Sequence, residues 1–213
     1  MHELESLTAP GLRRLLDHGV TTVIVPFGSI EQHGGHLPLG TDALLADIIG
    51  REVALRLGAV LAPTVRVGHG EQHMHVPGTL SLRAATLTDL AFDLAASMAK
   101  HGFTVIALVS THGGNVGPLD AAVERINHIL DGPTACAPHG DVGPHPGRHS
   151  GEWLTSVMLA LRPELVQLRA AARELAGELR VASSKRGKIH VERFVDSIVD
   201  EVRTAAGSGG PRR

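Results

Sequence analysis

Two stretches constrain the fold of this chain more than any other, "TTVIVPFGS" (21–29) and "FTVIALVS" (103–110). Both are β-branched and apolar almost throughout, without the polar alternation of a strand that has one wet face. Such strands need cover on both sides, and a parallel sheet with helices on each face supplies it. The segments between them fit that arrangement. "DALLADIIGREVALRL", from Asp42, has the apolar spacing of a helix and stops at Gly58, and Thr88–Lys100 reads as a helix closed by Gly102. Further helices are expected over 8–18 (Thr8 as cap, Pro10 early), 117–130, 152–161 (Ser150 as cap), 163–181 and 190–206. Further strands are expected over 59–68 and 134–139. The fold class expected is α/β, a three-layer sandwich around a mostly parallel central sheet. It forms a single domain over 1–206, with a frayed tail at 207–213.

In such a sheet, ligands bind beyond the carboxyl ends of the strands. The first apolar strand runs into "SIEQHGGHLPLGTDALLA" (29–46) and the second into "THGGNVGP" (111–118). Glu31, His33, His36 and Asp42 therefore stand at one strand mouth, and His112 and Asn115 at another. Each has an ordinary explanation when taken singly. Asp42 at a helix start is a cap, His33 a loop histidine, and Gly113–Gly114 a turn that allows positive φ. Together, two histidines and two carboxylates suit Zn²⁺, Mn²⁺ or Fe²⁺, and a bridging carboxylate would allow a paired site. A second cluster, His69, Glu71, His73 and His75, would line one face of an extended strand and is a rival site. A third, in "HGDVGPHPGRHSGEWLTSVMLALRPELV", places His149 and Glu152 at a helix start.

Composition removes several function classes. Twenty basic against 22 acidic residues and 2% aromatics leave no basic, ring-bearing surface for nucleic acid. No apolar run reaches membrane-spanning length and the N-terminus has no signal-peptide core, so no membrane partner and a cytoplasmic location are expected. Cys136 is the only cysteine, which excludes a disulfide framework and a thiolate metal cage. No GxSxG, P-loop, GxGxxG or HExxH occurs.

Four segments resemble a known family. "PFGSIEQHGGHLPLGTDALLA" is similar to its G-S-x-E-Q-H-G-x-H-L-P-L-x-T-D signature, "STHGGNVG" to N-G-H-G-G-N, and "VPGTLSL" to F-P-G-T-L-S. "HSGEWLTSVMLALRPELV" is similar to H-A-G-E-x-E-T-S-x-M-L-x-L-x-P-E-L-V. The family is creatininase (creatinine amidohydrolase), whose members open creatinine, deformylate a ribosylaminopyrimidine or trim the mycofactocin precursor peptide. The resemblance implies a metal-dependent amidohydrolase with one or two divalent ions per chain (zinc, manganese or iron). It implies metal ligands Glu31, His33, Asp42 and His112, with Asp42 bridging. It also implies His149 as proton carrier, with Glu152 as a second catalytic candidate, and substrate contacts from His73, His36, Asn115 and Trp153. The substrate implied is a small cyclic amide or formamide in a biosynthetic pathway. A peptidase acting on a modified precursor peptide, an amide-forming enzyme and a catalytically inactive binding relative are the alternatives. A homo-oligomer, hexameric by resemblance, is expected. Gly114 stands where creatininase itself has a ligand Glu, and Leu154 where the family has Glu. The chain after residue 170 is short, leaving "SSKRGKIHVERF" or a neighbouring subunit to close the pocket.

Overall fold

The structure, a computed structural model, describes residues 1–144 and 147–208. Five strands, β1 (His2–Glu3), β2 (Thr22–Phe27), β3 (Val60–Leu61), β4 (Val105–Ser110) and β5 (Thr134–Cys136), form one sheet in the order β1-β3-β2-β4-β5. All pairings are parallel, with Val23 opposite Ile106 and Val25 opposite Leu108 in the central pair. The helices are α1 (Ala9–Asp17), α2 (Thr41–Leu57), α3 (Ala84–His101), α4 (Val116–Ile129), α5 (Glu152–Leu161), α6 (Ala176–Leu179) and α7 (Ser184–Ser208).

The continuous apolar runs are explained by cover on both faces. Val23, Val25, Phe27, Ile106 and Leu108 pack on one side against Leu87, Ala91 and Ala95 of α3 and Leu119, Ala122 and Ile126 of α4. Ile24, Val105, Ala107 and Val109 point the other way, onto Ile49 and Val53 of α2 and Val195, Ile198 and Val202 of α7. Thus β2 feeds a helix on one face while the adjacent β4 feeds a helix on the opposite face. The connections diverge between these two strands, and that divergence opens a crevice at their carboxyl ends.

Helix ends follow the expected chemistry at several points. Thr8 caps α1 by accepting from Gly11 N at 3.2 Å, and α2 closes on Gly58 in the left-handed conformation at φ 62°. Other boundaries are corrected. The strand expected over 59–68 shrinks to Val60–Leu61, after which Val65 alone bridges Phe27. Helix α3 begins at Ala84, four residues before the expected Thr88, and β1 was not anticipated. The helix expected over 163–181 is a series of 3₁₀ turns followed by α6. Tertiary contacts hold that segment out of a helix: Gln167 N donates to the His36 carbonyl at 2.8 Å, and the Ala170 carbonyl lies against Gly35. Helix α7 starts at Ser184, so "SSKRGKIHVERF" packs against α5 and adds no residue to the cavity that holds Glu31 and Asp42. Its Gly187 lies so close to the Ser156 carbonyl that a Cβ would sit 1.8 Å away. Helix α7 runs through Ser208, beyond the expected boundary, and the rest of the expected tail, 209–213, lies outside the described residues.

Candidate metal centre

Four of the expected ligands converge at the β2/β4 crevice. Glu31 is fully buried, and Ser29 Oγ–H donates to its Oε2 at 2.9 Å. Asp42 enters on the first turn of α2, but the cap position belongs to Gly40 and the carboxylate accepts no helix amide. That corrects the capping role expected of it. Its oxygens instead face two imidazoles, with Oδ1 at 3.2 Å from His33 Nε2 and Oδ2 at 3.0 Å from His112 Nδ1.

The other ring nitrogens are already engaged. His33 Nδ1–H donates to the Glu31 carbonyl at 3.0 Å, and His112 Nε2–H to the His69 carbonyl at 2.9 Å. In their neutral forms both rings therefore aim lone pairs at Asp42. Two carboxylate oxygens, Glu31 Oε1 and Asp42 Oδ2, are buried without hydrogen-bond partners. Anionic oxygens and lone pairs facing one another in a buried site need protons or a cation between them. The protonation tendencies agree. Burial works against charging His33 and His112, but Asp42 and Glu31 outweigh it and raise both pKa values. Burial likewise pushes Asp42 up, yet His112 and His33 bring it down to about 2, so it stays ionised. The donor set fits a divalent cation. Among the described residues, Glu31, Asp42 and His112 bring ligand atoms within 4.8 Å of one another, as do Glu31, His73 and His149. His33 belongs to neither trio.

The centre opens on a cavity of about 250 Å³ lined by Thr111, His112, Gly113, His149, Trp153 and Leu154 among others. Leu154 thus lines the cavity where the resemblance expects a carboxylate. His149 lies at the wall with Nδ1 3.9 Å from Glu31 Oε1, and His73 stacks on it at 4.3 Å between ring centroids. Trp153, like Thr111, His112 and Gly113, also lines a more apolar cavity formed with Leu108, Val116, Leu119 and Phe194.

Three expected site residues do other work. Glu152 does not line the cavity. It binds Arg186 at 2.7 Å, Ser156 at 2.6 Å and His190 at 3.2 Å, clamping α5 to α7. His36 is buried and donates from Nε2 to the Ser150 carbonyl at 3.1 Å, a carbonyl that Thr155 Oγ–H also reaches at 3.2 Å. These bonds hold Ser150 at φ 59°, a left-handed conformation unusual for a residue other than glycine, and Gly151, not Ser150, occupies the cap of α5. Asn115 is fully buried as a strut. Its Oδ1 accepts from His69 N at 2.9 Å and its Nδ2 donates to the Gly28 carbonyl at 3.0 Å. The 69–75 segment is a 3₁₀ turn over Glu71–His73, not an alternating strand. Only His73 of that cluster reaches the centre, while His69 Nδ1 is spent on the Leu82 carbonyl and His75 Nδ1 on that of Gln72. Residues not anticipated are Ser29, the His69 carbonyl and Thr111, whose Oγ–H donates to the Asp42 carbonyl at 2.7 Å. Of these, Ser29 sits inside the quoted G-S-x-E stretch and was legible there.

Comparison with known proteins agrees with this geometry. The creatininase (creatinine amidohydrolase) family profile matches residues 5–197. Creatinine amidohydrolase of Pseudomonas putida is 28% identical over 87% of this chain and 90% of its own length. The mycofactocin precursor peptide peptidase of Mycolicibacterium smegmatis is 37% identical over 71% of this chain, which spans 62% of that protein's length. A solved creatininase mutant superposes with a TM-score of 0.77 at 26% identity, covering 95% of this chain and 98% of its own. A manganese form of creatininase gives a TM-score of 0.76 at 26% identity over 95% and 97%, and a zinc–zinc mutant form the same score at 25% over the same shares. The chain belongs to the creatininase family of metal-dependent amidohydrolases.

Proposed function

We propose that this chain hydrolyses the C–N bond of a small cyclic amide or a formamide, in a biosynthetic pathway. The observation that carries this reading is the buried meeting of Glu31, Asp42 and His112, with two unpartnered carboxylate oxygens, at the floor of an open cavity. Glu31, Asp42 and His112 would hold a divalent ion, with His33 beside Asp42. When bound, such an ion acidifies water and makes an amide carbonyl more electrophilic. The protein's own groups supply the rest. Asp42 stays ionised, and Ser29 fixes the Glu31 carboxylate. His149 Nε2–H is spent on the Gln32 carbonyl at 2.8 Å, which turns the Nδ1 lone pair toward the cavity. From there it takes a proton from the attacking water and passes it to the leaving nitrogen. Leu154 and Trp153 form an apolar wall suited to a compact amide.

The second reading is a peptidase acting on a modified precursor peptide, and it is favoured by the identity of 37% to the mycofactocin relative. Both readings are tested on enzyme loaded with manganese or zinc and challenged with lactams, formamides and short peptides. Turnover of lactams or formamides is the expected result. Cleavage of peptides alone would favour the second reading, and metal uptake without any turnover would make the chain a binding relative. We further propose a homo-oligomer, for which the exposed apolar side chains Leu39 (42% exposed), Met74 (54%) and Leu80 (53%) are candidate contacts.

A further inference from the structure

Gln32 touches both His73 and His149, the two histidines beside Glu31 Oε1, by different atoms. Its side-chain Nε2–H donates to His73 Nδ1 at 3.1 Å, and its main-chain carbonyl accepts from His149 Nε2–H at 2.8 Å. The orientation of the amide is set independently: Oε1 accepts from Gly34 N at 3.0 Å, so turning the amide over would put its NH₂ against another N–H. The backbone of Gln32 is itself held by Thr79, whose Oγ accepts from Gln32 N at 3.2 Å.

Resting on the reading of the cavity as an amide site, we propose that Gln32 is the positioning residue that makes His73 a fixed hydrogen-bond donor and His149 a fixed acceptor. Both rings carry their proton on Nε2, but they present opposite atoms to the centre. With Nδ1 filled by the Gln32 amide, His73 aims Nε2–H at the centre, 3.6 Å from Glu31 Oε1. With Nε2–H spent on the carbonyl, His149 aims a bare Nδ1, 3.9 Å from the same oxygen. That oxygen is buried and has no hydrogen-bond partner, so the two rings flank the unsatisfied atom of the centre. A fixed N–H beside the reacting carbon suits the oxygen that gains charge when an amide is attacked, and a fixed lone pair suits proton transfer. The same assignment leaves the Glu31–His73–His149 trio unready for an ion, because a protonated Nε2 offers no lone pair.

The test is long-range ¹H–¹⁵N NMR of ¹⁵N-histidine-labelled, zinc-loaded protein, at a pH where both rings are neutral. In wild type both His73 and His149 are expected to carry the proton on Nε2. In Gln32→Glu, of nearly the same shape, one carboxylate oxygen still accepts from Gly34 while the other now requires Nδ1–H on His73. The proton of His73 is then expected to move to Nδ1 while that of His149 stays on Nε2, because a main-chain carbonyl holds it. Gln32→Leu is expected to leave His73 a mixture of tautomers. On whichever amide the enzyme turns over, kcat is expected to fall about 100-fold in Gln32→Glu, with KM little changed. A wild-type His73 protonated on Nδ1, or a His73 tautomer unmoved by Gln32→Glu, would overturn the proposal. Those readings need no substrate, so failure to find an amide substrate is a separate result.

Discussion

Gly114 and His69 meet backbone to backbone. A Cβ on Gly114 would lie 2.1 Å from the His69 carbonyl oxygen and 2.4 Å from His112 Nε2, which donates to that same carbonyl. Close approach, not positive φ, is what requires glycine there, since Gly114 is absent from the positive-φ positions. Gly114→Ala is therefore expected to cost about 1–3 kcal/mol and to weaken metal binding by displacing His112. Gly113→Ala meets nothing within 4 Å and should change stability by no more than about 0.5 kcal/mol. Chemical denaturation and a zinc titration of the two variants check the contrast.

Asn115→Ala separates a strut from a substrate contact. It strands the His69 amide and the Gly28 carbonyl, which among the described residues are bonded through that side chain's amide. A loss of about 2–4 kcal/mol of stability is expected from two buried groups left unpaired. A stable variant with only a raised KM would show that Asn115 contacts substrate instead.

Metal removal should loosen the protein without unfolding it, because the two apolar layers that flank the sheet are built independently of the centre. Returning Zn²⁺ or Mn²⁺ is expected to raise Tm, by an amount equivalent to about 2.7 kcal/mol when free ion is about 100 times Kd. Asp42→Ala should abolish that rise. Differential scanning calorimetry with and without chelator measures both, and a Tm rise that survives Asp42→Ala would place the ion elsewhere.

The Glu152 clamp predicts an acid limb in stability. Burial pushes the Glu152 carboxyl up, but Arg186, Ser156 and His190 outweigh it and hold it at about 2, below its ordinary 4.5. A folded pKa below the unfolded one gives stability that is full above the unfolded value and is lost as pH falls from about 4.5 through about 2. Glu152→Gln should cost roughly 1–2 kcal/mol near neutrality, a modest figure because Arg186 is half-exposed. Wild type and variant should converge at the acid end in urea titrations run across pH. Since Glu152 does not line the cavity, kcat should change far less than stability.

Much of the architecture was legible because it depends on local pattern. The unbroken apolar runs of β2 and β4 could only be satisfied by helices on both faces, and Gly58 and Gly102 marked where helices stop. The ligands were legible as residue types, because carboxylates and imidazoles at strand mouths have few other uses in combination. What failed did so where distant contacts prevail over local preference. The 163–181 helix gave way to the pairing of Gln167 with His36, and the 69–75 strand to a turn that brings His73 to Glu31.

The sequence by itself determined the parallel α/β sheet, the crevice beyond β2 and β4, and the identity of Glu31, His33, Asp42 and His112 as the groups around it. Only the tertiary structure decided what each polar side chain does there. Asp42 and Glu152 both occupy the first turn of a helix, where the helix dipole favours a carboxylate equally. One turns into the crevice toward two imidazoles and the other away from it toward Arg186, because the helices α2 and α5 present their first turns to different neighbours. The direction in which a side chain leaves a helix follows from how that helix packs, and packing joins residues that local sequence cannot relate.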